Sequence, residues 1–170
     1  MKNFGVRSKP AANAALAIFV LAIATVGSAW IFQFLGYKPC ELCLTERLPY
    51  YAGIAVAFLA ILLSRRQQQG AALQASFAAL FLIFAAGTAL GVYHAGVEYH
   101  FWAGPSGCTG SFQKAATMQD FLKQLHNVKV VRCDEVALRV LGLSLAGWNA
   151  IISAVLAVLA IVGWRSAKAA

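Results

Sequence analysis

Cys40 and Cys43 enclose Glu41 and Leu42, and a second pair, Cys108 and Cys133, follows 25 positions apart. Two thiols in Cys-x-x-Cys spacing can close into a disulfide and reopen, which is dithiol redox chemistry. A bridge across so short a segment removes little chain entropy, so bracing is a weak reason for the first pair. For Cys108 and Cys133 bracing competes, because closing a loop of that size contributes on the order of 3 kcal/mol. Zinc ligation is a third reading: Cys-x-x-Cys matches half of a zinc site, but the second pair lacks that spacing. A redox relay therefore ranks first, structural bridges second and zinc third. Of the three possible connectivities, local spacing favours Cys40–Cys43 with Cys108–Cys133.

Pro39 and Pro49 bracket the segment from Cys40 to Leu48, which reads as a tight turn or short helix at a membrane surface. Cys43 precedes an apolar helix whose exposed N–H groups favour an anion, and Arg47 adds positive charge four positions on. Both features favour a thiolate at Cys43; Glu41 and Glu46 oppose it. Arg47 itself has two readings. It marks the membrane edge as a snorkelling cation, or it stabilises negative charge on an acceptor's oxygen as electrons arrive. A dithiol whose chain has no flavin, haem or metal motif must pass electrons elsewhere, and a lipid-soluble quinone is the acceptor that a membrane offers. His94 is a candidate hydrogen-bond donor or proton carrier on the quinone side, against the plainer reading of a structural histidine. His100 and His126 read as surface residues.

The chain that must position these groups has 170 residues, 61% of them apolar and 12% charged. Ordinary soluble domains carry roughly a quarter charged residues, and a soluble domain of this size could not bury so much apolar surface. Charges leave four clean stretches, at about 11–35, 48–64, 71–93 and 140–164. About 20 residues of helix cross the hydrocarbon layer, so the fold class is an all-α membrane protein, a four-helix transmembrane bundle forming one domain. Loops 36–47 and 94–139 then share one side and hold every cysteine. Tyrosines and tryptophans near the span ends suit an interfacial belt. Gly87 and Gly91 form a small-xxx-small pair suited to close helix packing. Residues 114–127 read as a short surface helix with Phe121, Leu122 and Leu125 on one side, or as a solvated linker.

The net charge of +8 is not a nucleic-acid footprint. Seven cations and no acid stud the termini and the turn near Arg65, all short segments. The other side carries seven cations, mostly in its long loop, with all six acids. Short segments dominate the positive-inside rule, so both termini are expected in the cytoplasm and the cysteine loops outside.

Lys38-Pro39-Cys40-Glu41-Leu42-Cys43-Leu44-Thr45-Glu46-Arg47 resembles the Pro-Cys-x-Leu-Cys-x-x-Glu-Arg segment of the DsbB family, the quinone-reducing membrane thiol oxidases of bacteria. The likeness extends to four spans, a short first outer loop with Cys-x-x-Cys and a long second one with a cysteine pair. The resemblance implies a bacterial inner-membrane protein that reoxidises a periplasmic DsbA-like dithiol oxidase and reduces ubiquinone or menaquinone. It further implies that the partner attacks Cys108, that Cys133 then engages Cys40, and that the freed Cys43 faces the quinone with Arg47 at a quinone carbonyl.

Overall fold

Long apolar runs in lipid have one local solution, because only a helix satisfies every backbone group within its own segment. A computed structural model describes residues 9–65, 70–105, 117–119 and 131–168. Four of its helices are long and apolar enough to cross a membrane. Helix α1 (Lys9–Phe34) tolerates Pro10 in its first turn. It ends in a Schellman motif: Tyr37 N–H donates to Phe32 O and Gly36 N–H to Gln33 O, with Gly36 at φ +98°. A short α2 (Glu41–Thr45) leads almost directly into α3 (Arg47–Arg65). Helix α4 (Ala71–Glu98) runs past its expected end at 93 and closes with the same motif, here with His100 in the left-handed region.

The fourth span differs most from expectation. Residues 140–144 do not begin it; they complete a small hairpin, β1 (Arg139–Val140) paired antiparallel with β2 (Leu143–Ser144). Leu141 and Gly142 both have positive φ, the requirement of a type I′ turn. Helix α5 (Leu145–Lys168) starts after it, and its Gly147 N–H donates to Ser144 Oγ, a helix cap. Trp148 Nε1 donates to Val140 O and ties the hairpin back to the helix.

The four long helices form a ring in which α1 touches α3 and α5, and α4 touches α3 and α5. Ile18, Tyr50, Phe77, Phe84 and Leu156 are buried inside it among alanines, while Leu16, Ile31, Phe58, Leu82 and Val158 face outward. Gly91 approaches α5 closely: a Cβ there would stand 2.7 Å from the backbone nitrogen of Ala150. Loop 36–47, helix ends and hairpin all gather at one end of the ring. The surface helix expected over 114–127 falls outside the described residues except for 117–119.

Candidate functional site

Cys40 is the N-cap of α2. Its backbone is extended and its Sγ accepts the Cys43 N–H at 3.2 Å, which brings the two sulfurs to 2.8 Å. Both are free cysteines whose sulfurs lie close enough to close the bridge that the spacing joins. The sequence left the balance at Cys43 open, and the cap geometry favours a thiolate at Cys40. The Cys43 thiol donates to Cys40 Sγ and is the strongest influence; burial opposes it, and His94 and the Cys43 N–H reinforce it. Together they hold the Cys40 thiol down at about 4, against an ordinary 9.0. The helix whose N-terminus matters is α2, which starts before Cys43, not α3, which starts after it.

His94 is almost fully buried and sits between two partners. One ring nitrogen, Nε2, lies 3.6 Å from Cys40 Sγ and the other, Nδ1, lies 3.0 Å from Glu46 Oε1. A carboxylate on one nitrogen fixes the ring's orientation and tautomer toward the group on the other. His94 therefore addresses the cysteine pair, and it is not among the residues lining the neighbouring cavity. Cys40, Cys43 and His94 also have a donor set that a soft divalent ion would accept.

Cys133 is buried, disulfide-bonded, and packed in one apolar cluster with Cys40, Leu42 and Val97. Its expected partner Cys108 lies outside the described residues. The charges beside Cys133 engage one another: Arg132 donates to both carboxylate oxygens of Asp134, at 2.6 and 3.0 Å, and approaches Glu135 at 3.4 Å. Arg132 in turn lowers the Asp134 carboxyl below its usual range.

Cys43, which packs against that same cluster, also lines a mostly apolar cavity between α1, α3 and α5. Its volume, about 170 Å3, is comparable with the roughly 150 Å3 apolar cavity known to hold a benzene ring. Arg47 lines it too, with its guanidinium donating to Gln33 Oε1 at 2.9 Å and Ala29 O at 3.4 Å and lying over the Trp30 ring. Tyr50, Glu98 and Asn149 add polar groups to the wall. Sequence reasoning passed over Glu98, Asn149 and the pairing of Glu46 with His94. Both acids fall in segments read as loops, 36–47 and 94–139, where a charge does not stand out, and Asn149 carries no local signal.

The family model for disulfide bond formation protein DsbB matches residues 11–163. An uncharacterized protein of Rickettsia prowazekii (strain Madrid E) is 21% identical over 141 residues, covering 81% of this chain and 78% of its own length. No solved structure matches the chain. With its four membrane-crossing helices and a Cys-x-x-Cys dithiol at one end of the bundle, the chain is a multi-pass membrane protein of the disulfide bond formation protein DsbB family.

Proposed function

We propose that the protein is a protein-dithiol:quinone oxidoreductase of the bacterial inner membrane, with both termini cytoplasmic and its cysteine loops in the periplasm. One observation carries this reading: the Cys40–Cys43 pair packs in one cluster with buried Cys133, and its Cys43 also lines a ring-sized apolar cavity. Thiol exchange enters through the Cys133 contact and electrons leave through the cavity.

The sequence of exchanges balances throughout. A reduced DsbA-like partner attacks Cys108 of a Cys108–Cys133 disulfide; the partner's second thiol then resolves the mixed bond, and the partner leaves oxidised. Cys133 attacks Cys40 of an oxidised first pair and releases Cys43 as thiolate. Cys108 attacks Cys133 in turn, which restores the second disulfide and leaves Cys40 and Cys43 reduced. The cavity suits a quinone in size and apolarity, and it offers an unpartnered buried amide nitrogen on Asn149. Ubiquinone or menaquinone, when bound, takes up two electrons and two protons. Cys43 and Arg47 would hold its headgroup. Cys40 is the thiolate of the reduced pair, which stabilises the dithiol form and makes the corresponding disulfide the stronger oxidant. The Glu46–His94 couple orients the imidazole against that sulfur and can carry one of the thiol protons.

The test is turnover with a reduced thioredoxin-fold partner and a soluble quinone. Loss of quinone absorbance matched one-for-one by partner disulfide is expected, and Cys43→Ser should abolish it. Quinone reduction that survives Cys43→Ser contradicts the mechanism.

A further inference from the structure

Among the described residues, two buried side-chain polar atoms have no partner, Asn149 Nδ2 and Glu98 Oε2, and both residues line the same cavity. A buried donor without an acceptor is destabilising, and native interiors rarely retain one without a reason. The other arm of the Asn149 amide is firmly held. Tyr50 Oη donates to Asn149 Oδ1 at 2.7 Å and stands 2.9 Å from Ser153 Oγ. With the Tyr50 proton committed to Asn149, the Ser153 hydroxyl donates to Tyr50, and the chain runs in one direction from Ser153 to Asn149. In this arrangement Oδ1 meets Tyr50, and the NH2 group is the end left over.

The parts behind that chain are rigid. Tyr50 and Ser153 are buried, and the Tyr50 ring meets Phe84 edge-on at 5.8 Å. Gly87 leaves room for Ser153, whose Oγ would lie 3.2 Å from a Cβ at that position. Half of the small-residue pair on α4 thus serves the polar chain as well as helix packing.

We infer that Asn149 is the neutral hydrogen-bond donor that recognises a carbonyl oxygen of the bound acceptor, an inference that rests on the cavity being the quinone site. A carbonyl oxygen accepts only, and an amide NH2 donates only. Of the two partnerless atoms, only the Asn149 nitrogen is a donor in every protonation state, which makes Asn149 the matching group. Its role is distinct from that of Arg47. A cation gains most as negative charge develops, whereas a neutral amide acts on the uncharged carbonyl and so on binding of the oxidised acceptor. Replacing Asn149 should therefore raise the KM for quinone and leave kcat nearly unchanged.

The decisive experiment uses the full chain in detergent with a short-tailed ubiquinone carrying 13C at one carbonyl or the other. Infrared difference spectra of the wild type should show one carbonyl band shifted to lower frequency than the other. Asn149→Leu should remove that shift and weaken quinone binding about tenfold, the usual worth of one hydrogen bond. Tyr50→Phe frees Asn149 Oδ1 without touching the donor, and should leave a smaller, broader shift. It also serves as the second probe if Asn149→Leu does not fold. Unchanged carbonyl bands in both variants would overturn the assignment and leave the cavity reading standing. A wild type that binds no quinone would instead overturn the cavity reading itself.

Discussion

Cys40 owes its chemistry to three donors converging on one sulfur: the Cys43 thiol, His94 as the imidazolium, and the Cys43 N–H. Reduced protein should accordingly show thiolate absorbance near 240 nm that titrates with a midpoint of about 4. His94→Phe should move that midpoint upward, and a wild-type midpoint near the ordinary 9.0 would contradict the geometry. Between about 4 and 9.0 the folded reduced chain binds fewer protons at Cys40 than the unfolded one, so this contribution is complete above the unfolded value and is lost as the pH falls toward 4. Arg47 invites a separate check. Held by Gln33 and Ala29 at the cavity wall, Arg47→Met should raise the apparent KM for quinone several-fold, and an unaltered quinone dependence would reduce Arg47 to a marker of the membrane edge. The cysteines and Arg47 were legible because their spacing is local. The contacts of His94 with Glu46, and of Tyr50 with Asn149 and Ser153, join residues 48 to 103 positions apart. No short motif carries such a contact.

The helices were legible for a different reason, because a span announces itself by lacking charge. The same signal misled at residues 140–144, where Val140, Leu141 and Leu143 prolong the apolar run although the chain makes a hairpin there. Hydropathy cannot separate an apolar hairpin from the start of a helix; Gly142 and the capping Ser144 were the available punctuation. The hairpin moves the start of α5 and so sets where Asn149 and Ser153 fall against α3. Packing between α4 and α5 can be probed at Gly91. Gly91→Val drives side-chain atoms into the Ala150 backbone and should cost about 1–3 kcal/mol, as overpacking does. Gly27→Val, with open space around its Cβ position, is the control. Equal unfolding midpoints in a denaturant titration for the two variants would contradict the close α4–α5 contact.

At the scale of the whole molecule, the bundle acts as a holder for one end. The ends of α1 and α4, the starts of α3 and α5, and the hairpin converge there, with Cys133 packed against the dithiol and the cavity reaching Cys43. The composition alone pointed to such an arrangement, since 61% apolar content is largely consumed by spans and leaves a small outer surface for chemistry. The central claim is that the Cys40–Cys43 pair hands its electrons directly to quinone. It is tested most directly with the Cys108→Ser/Cys133→Ser double variant, reduced anaerobically and mixed with one equivalent of a soluble quinone, with thiols then counted by differential alkylation and mass spectrometry. The account predicts that Cys40 and Cys43 lose both thiols as one quinone is reduced, with no second pair present. Thiols that persist at Cys40 and Cys43 beside unreduced quinone would contradict it.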